Sequence, residues 1–244
     1  MKTYFYRITI FALVLLVQAM GTNAQDASTI LKNMDNVLYA PKDISGVNRI
    51  ILIDKNGKEE VREAYLKQKG TDKRIMRFTS PASQAGIAVL ALPDDVMYLY
   101  LPAFGKERRI SASVKNQNFA GTDFSYDDME PRPYTDKYTP KLLNTEANAY
   151  VLELVPKGNS DYSKIIATIN KSSFCPEKME YYDKGNTKVK EAKYTFTKVG
   201  NYWNSKEIMM TDLKKSHSTK MQMTDVKYDI GLSDDEFTVR KLLQ

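Results

Sequence analysis

Reactive side chains are scarce in this 244-residue chain, which has one cysteine, one histidine and one tryptophan. A lone Cys175 excludes an internal disulfide framework. In an oxidising compartment such a thiol is expected to be buried as a small apolar group. A zinc site needs several Cys or His ligands, which the chain does not have. His217, set among Lys215, Ser216 and Ser218, reads as a solvated turn residue. No G-x-S-x-G elbow presents a nucleophile, and no Walker loop or G-x-G-x-x-G could cradle a phosphate. The carboxylates Asp123, Asp127, Asp128 and Glu130 cluster, but not at EF-hand spacing. Loop acids that cap turns or pair with arginine account for them better than a glycosidase pair does. The sequence therefore gives no catalytic residue, metal or cofactor, and the expectation is a protein that is not an enzyme. Basic residues never run beyond two in a row and alternate with acids. The formal net charge of +6 thus reads as a solvated surface, with no nucleic-acid partner expected.

Long apolar runs are equally rare, and the only one stands at the front. Lys2 and Arg7 precede an apolar stretch over residues 8–17, and Thr22-Asn23-Ala24 supplies small residues at the positions a signal peptidase reads. The stretch is too short to span a bilayer as a helix. Residues 1–24 are therefore expected to be a cleaved signal peptide, leaving 25–244 as a single exported domain. No cysteine near the cut could carry a lipid anchor.

What remains is patterned mainly as β-structure. Residues 26–39 are the exception: Ile30, Met34, Val37 and Leu38 form a helical stripe, Asp26 or Ser28 could cap it, and Pro41 stops it. Period-two alternation then marks strands over 47–54, 58–68, 73–79, 86–92, 96–101, 107–111, 150–155, 165–169, 178–182, 189–199, 202–211 and 219–228. Asn56-Gly57 suits a type I′ hairpin. Ser233 with Glu236 forms a capping box before a short closing helix. Residues 113–144 read as a long irregular segment, and such segments are usually functional or folded over something. Strands that are apolar on both faces, such as Val96 to Leu101, need cover on two sides or a face that lines an apolar cavity. A strongly curved antiparallel sheet holding a helix on its concave side satisfies this pattern.

Three blocks of residues resemble a known family. The first is Phe78-Thr79-Ser80-Pro81 with Gly86, Leu90 and Met97-Tyr98-Leu99-Tyr100-Leu101-Pro102. The second is Arg108-Arg109-Ile110-Ser111 followed by Phe119-Ala120-Gly121-Thr122-Asp123-Phe124-Ser125-Tyr126-Asp127-Asp128. The third is Asp225-Val226-Lys227-Tyr228-Asp229-Ile230-Gly231-Leu232 with Phe237-Thr238. They are similar to the outer membrane lipoprotein-sorting proteins, a group related to the LolA and RseB periplasmic proteins. The resemblance covers residues 50–244.

It implies a mainly β fold, an incomplete (half-open) antiparallel β-barrel with an N-terminal helix and a lid segment over an apolar cavity. It also implies a periplasmic carrier of lipid or lipoprotein acyl chains for outer-membrane sorting or lipid export. The alternative is a sensor or adaptor reporting lipid or envelope state to a membrane partner such as an export pump. Expected partners are acyl chains, an inner-membrane transporter and an outer-membrane acceptor, with the protein itself a monomer. The cavity would be lined by Met34, Leu38, Phe78, Tyr98, Tyr100 and Phe124. Met and aromatic side chains suit that task because they adapt to varied hydrocarbon shapes. Arg108 and Arg109 would fork onto Asp123 and Asp128 to latch the lid.

Overall fold

Antiparallel pairing between successive strands builds one sheet of thirteen strands. The computed structural model describes residues 26–244; the expected signal peptide and its cleavage point lie outside them. The strands are β1 (Asp43–Ile53), β2 (Glu59–Lys69), β3 (Lys73–Ser80), β4 (Ala88–Leu92), β5 (Val96–Leu101), β6 (Lys106–Arg109), β7 (Tyr138–Thr145), β8 (Ala149–Pro156), β9 (Tyr162–Asn170), β10 (Pro176–Asp183), β11 (Lys188–Val199), β12 (Tyr202–Asp212) and β13 (His217–Tyr228). Their order across the sheet is β6-β5-β4-β3-β2-β1-β13-β12-β11-β10-β9-β8-β7. First and last strands pair in the middle, and the two edges, β6 and β7, are consecutive in the chain. The sheet is not closed. The expected half-open barrel is therefore the observed fold, and the segment from Ile110 to Lys137 has to cross its open side.

That segment contains three one-turn helices, α2 (Ala112–Lys115), α3 (Tyr126–Met129) and α4 (Tyr134–Lys137). The expected irregular stretch is thus shorter than 113–144, because β7 takes its last residues. Pro140 hid that strand in the sequence; it is tolerated because β7 is an edge. At Asn56-Gly57 the type I′ expectation is corrected. Only Gly57 has a positive φ, at 80°. The Asp54 carboxylate accepts from the Asn56 and Lys58 amides at 2.8 and 2.9 Å, which holds a longer loop.

The N-terminal helix α1 (Ala27–Leu38) lies on the concave face. Its buried side is Ile30, Leu31, Met34 and Asp35, so Leu31 takes the place expected for Val37. Asp26 makes no side-chain cap, and twelve residues are marginal for an isolated helix. Packing must therefore hold it: three fully buried apolar side chains contribute about 1.5–3 kcal/mol each. Asp35 adds a polar tie. Its carboxylate accepts from the Tyr134 and Thr135 amides and the Thr135 hydroxyl, each at 2.8 Å, so α1 caps α4. No helix among the described residues is long and apolar enough to cross a membrane.

A second apolar cluster forms on the convex face, where Phe237 and Leu242 cover Ile75, Ala88 and Leu90. Leu242 belongs to the closing helix α5 (Val239–Leu242). This C-terminal strap explains why β3 to β5 are apolar on both faces. Asp43 accepts from the Ile230, Gly231 and Leu232 amides at 2.9–3.1 Å, and the Arg77 guanidinium donates to the carbonyls of Lys241 and Leu242. Cys175 is a free, buried thiol.

Ion pairs complete the strap. Lys67 holds Glu236 at 2.8 Å, while Lys69 and Lys73 meet Asp234 at 2.9 and 3.0 Å. These lysines hold Glu236 and Asp234 below the usual carboxylate range, and the Tyr202 hydroxyl does the same for Asp229. A carboxyl depressed by folding adds stability above its unfolded value, near 4, and that stability is lost as pH falls through the folded value. Hydrogen-exchange protection of residues 229–242 should accordingly fall between about pH 5 and pH 3, ahead of the concave core. Unchanged protection factors in the strap would refute this.

Candidate functional site

The concave interior is filled by α1 and the lid except near the C-terminal end of α1, where a cavity of about 260 Å³ remains. Leu38, Tyr39 and Pro41 form its helix side, and Phe124, Met129 and Tyr134 its lid side. Inward-facing residues of the sheet complete the wall, among them Leu66, Met76, Ile208, Met210, Met221 and Met223. Trp203, the only tryptophan, also lines it. The phenols of Tyr39, Tyr194 and Tyr228 are pushed up to about 12, mainly by burial, so these side chains stay uncharged at physiological pH. The volume lies just under the roughly 300–1,000 Å³ of typical ligand pockets.

The lid is built from residues that fit nowhere else in the sheet. Ala120 and Gly121 have φ of 46° and 78°, a left-handed bend that glycine accepts without strain. It drives Phe119 into the core, where it stacks on Phe78 with centroids 5.7 Å apart. Ser125 and Asp128 then form a reciprocal capping box that starts α3. A backbone crossing an apolar interior must find donors for its carbonyls. They come from the inner faces of three strands, β2, β3 and β11. Arg62 donates to the Ala120 carbonyl at 2.5 Å, Arg74 to that of Met129 at 2.9 Å, and Lys190 to that of Asp123 at 2.8 Å. On β13, the Thr219 hydroxyl and His217 Nδ1 each lie 2.7 Å from the Asp123 carboxylate.

This geometry corrects several expectations. Asp123 is paired, but with His217 and Thr219 and not with arginine. His217 is a lid contact, not a solvated turn residue. Thr219 bonds Asp123 and not the imidazole, so the His–Asp pair has no nucleophile in line. Asp128 is occupied in its capping box. Arg108 stacks over the exposed Phe104 ring at 4.9 Å, and Arg109 lines a separate polar recess with Asp94 and Asp95. Both arginines lie exposed on the short edge strand β6, which pairs with β5 alone; Arg108 opposes Leu99 and Arg109 opposes Tyr98, so they point to opposite faces.

The expected cavity residues divide similarly. Leu38 and Phe124 line it. Met34 and Phe78 are fully buried in the adjoining core without facing the space. Tyr98 and Tyr100 lie on the convex face against the strap, because Met97 and Leu99 take the inward positions of β5. Arg62, Arg74, Lys190 and Asp35 are site residues that neither motif nor resemblance points to. Their signal was present in the alternation: Arg62 is in phase with Ala64 and Leu66, Arg74 with Met76 and Phe78, and Lys190 with Ala192.

At the lid's far end, Lys115 is buried between Asp95 and Glu130, at 2.6 and 3.2 Å. Burial pushes the Glu130 carboxyl up. Burial acts the same way on Asp95, but Lys115 and Glu130 outweigh it and leave Asp95 below its usual value.

A half-open antiparallel sheet with an internal helix, a pinned lid and a cavity between them defines the class of fold. Solved structures place the chain within that class. It is similar to an outer membrane lipoprotein-sorting protein domain from Vibrio parahaemolyticus, at 25% identity over 90% of this chain and 100% of that one, with a TM-score of 0.82. A DUF1329 family protein from Desulfovibrio piger gives 26% identity, 88% and 97% coverage and a TM-score of 0.82. A LolA superfamily protein from Nitrosomonas europaea gives 26% identity, 88% and 98% coverage and a TM-score of 0.75. A family model described as "Uncharacterized protein" matches residues 70–244. The chain belongs to that family, within the LolA-like group of outer membrane lipoprotein-sorting proteins. The sequence matches no curated protein.

The two arrangements of the latch make opposite predictions. Asp123→Ala removes the acceptor of His217 and Thr219 inside the core, and should destabilise the lid by about 1–3 kcal/mol. Limited proteolysis should then cut residues 119–130 faster. Arg109→Ala should leave that cleavage unchanged. The reverse pattern would restore the arginine latch.

Proposed function

We propose that this protein is a periplasmic carrier whose cavity takes an acyl chain of a lipid or lipoprotein for outer-membrane sorting or lipid export. In this reading the exported form starts at Gln25, folds as a single domain and does no covalent chemistry. One observation carries the reading: a greasy cavity beneath the end of α1, closed by a segment that polar contacts hold in place and that can lift without breaking the sheet. Each buried CH₂ is worth about 0.8 kcal/mol, so a long chain crossing water needs such a container. Methionines on the wall adapt to chains of different shape. The names of the similar proteins from Vibrio parahaemolyticus and Nitrosomonas europaea support the assignment.

The size of the cavity suits one chain, or part of one. Larger cargo requires the lid to move, and Leu38 and Phe124 are the lining residues on the two parts that would separate. The adaptor reading draws support from how firmly the lid is held: three cationic side chains donate to its backbone, which suits retention of a lipid more than its rapid release. Transfer of bound lipid to acceptor vesicles favours the carrier; retention with binding to an inner-membrane partner favours the adaptor.

The single tryptophan gives a direct test. A lipid brominated along its chain should quench Trp203 fluorescence saturably on binding, while the same lipid without bromine should compete it away. Absence of saturable quenching at any lipid concentration below micelle formation would defeat the proposal.

A further inference from the structure

We propose that the ligand of this cavity is an amphiphile with an anionic head, a carboxylate or phosphate, and that the Arg74 guanidinium is its counter-ion. This rests on the acyl-binding reading above and narrows the cargo from any acyl chain to one carrying a negative head.

The charge inventory of the wall leads to it. Arg74 projects from β3 into the cavity between Gln68 and the lid. Its Nε and Nη2 donate to the Gln68 side-chain oxygen at 3.0 and 2.6 Å, and its Nη1 donates to the Met129 carbonyl at 2.9 Å. These bonds use three of the five guanidinium N–H groups, and both acceptors are neutral. Among the described residues no carboxylate oxygen lies within 4.0 Å of Arg74. The other cations of the wall are matched: Arg132 meets Asp95 at 3.2 Å, and Lys137 meets Asp127. The carboxylates are matched too. Asp127 is held by Lys137, Glu130 by Lys115, and Asp128 by the hydroxyl and amide of Ser125. Arg74 is left as the one lining cation without an ion-pair partner; of the carboxylates it feels only the longer-range field of Glu130, which Lys115 already holds. Charges removed from water are normally paired, and burial already pushes this guanidinium down from its usual value.

A second observation on the same wall points to a polar ligand group. Ser205 Oγ is buried and has no hydrogen-bond partner, and Ser205 lines the cavity. Beside it, Asn204 accepts from the Tyr228 hydroxyl at 3.0 Å. The wall thus offers a cation and a free hydroxyl, with Met76, Met210, Met221 and Met223 supplying the apolar remainder. A neutral acyl ester would fill the apolar part and leave Arg74 unmatched. A single-chain acid or phosphate would satisfy both.

The test compares three probes of equal chain length, palmitate, hexadecyl phosphate and hexadecanol, each titrated as a competitor of the brominated-lipid quenching of Trp203. Palmitate, hexadecyl phosphate or both should bind about ten-fold or more tightly than hexadecanol, the scale of one charge-assisted hydrogen bond. The stronger of the two identifies whether the head is a carboxylate or a phosphate. Arg74→Gln should erase the preference, and Arg74→Lys should keep most of it. Equal affinity of wild type for all three probes would overturn the proposal while leaving acyl binding intact. So would an undiminished preference in Arg74→Gln. Inorganic phosphate displacing the probes on its own would overturn it too, by showing an anion site that needs no chain. If no probe binds, the acyl-binding reading itself fails. Should the Gln variant not fold, the wild-type comparison still decides.

Discussion

The open side of the sheet is the constraint from which the interior follows. Because β1 and β13 pair in the middle, the two free edges are β6 and β7, which adjoin in sequence. Their connection cannot run outside the protein as an ordinary loop; it must bridge the gap over an apolar interior. Its backbone carbonyls then need donors where water is scarce. Arg62, Arg74 and Lys190 supply them from the inner faces of β2, β3 and β11. A lid made of polar backbone therefore brings positive charge into a greasy barrel. The acids Asp123, Asp127, Asp128 and Glu130 ride on the lid itself and are held by other groups: His217 and Thr219, Lys137, Ser125 and Lys115. The carboxylate cluster that looks in sequence like a candidate catalytic or metal site is thus engaged in fixing the lid.

Lid and helix are mechanically one piece. Asp35 sits on the buried side of α1 and accepts all of its hydrogen bonds from Tyr134 and Thr135, and the Tyr39 hydroxyl donates to the Arg132 carbonyl at 3.0 Å. Burial pushes the Asp35 carboxyl up, against the pull of those donors. Nothing in this coupling belongs to the sheet. Motion that enlarges the cavity can thus carry α1 and α4 together while the strand ladder stays intact. Such motion is resisted by these directional bonds and by the packing of Ile30, Leu31 and Met34 in the core.

Much of this fold was legible because alternation survives tertiary context. The ranges 189–199 and 202–211 match β11 and β12 within a residue or two at each end. β7 escaped because Pro140 and its solvated edge removed the pattern that identifies a strand. The site was legible only in part, for a reason of phase. Period two separates the faces of a strand but does not say which is concave, and β5 is apolar on both. Tyr98 and Tyr100 were placed inward, whereas the strap with Phe237 and Leu242 claims that face. The inward cations could be found by the opposite reasoning. An arginine in phase with Met76 and Phe78 breaks an apolar face, and that break marks a place where backbone or ligand must supply an acceptor. Arg108 and Arg109 drew attention as an adjacent pair, but adjacent residues on a strand point to opposite faces and cannot grip one loop together.

The make-up of the cavity wall is informative in itself. Replacing a few methionines with larger side chains would close the cavity, yet the wall keeps flexible thioethers and buried polar atoms there instead. Gln68, Asn204 and Ser205 make little sense as lining for a dry hydrocarbon pore and good sense beside an occupant with a polar end. Arg74 sharpens the point, since a carbonyl and an amide oxygen leave two of its donors free and its charge without an ion-pair partner. Under the proposed acyl binding, the one lining cation without an ion-pair partner names the end of the chain that the interior would grip.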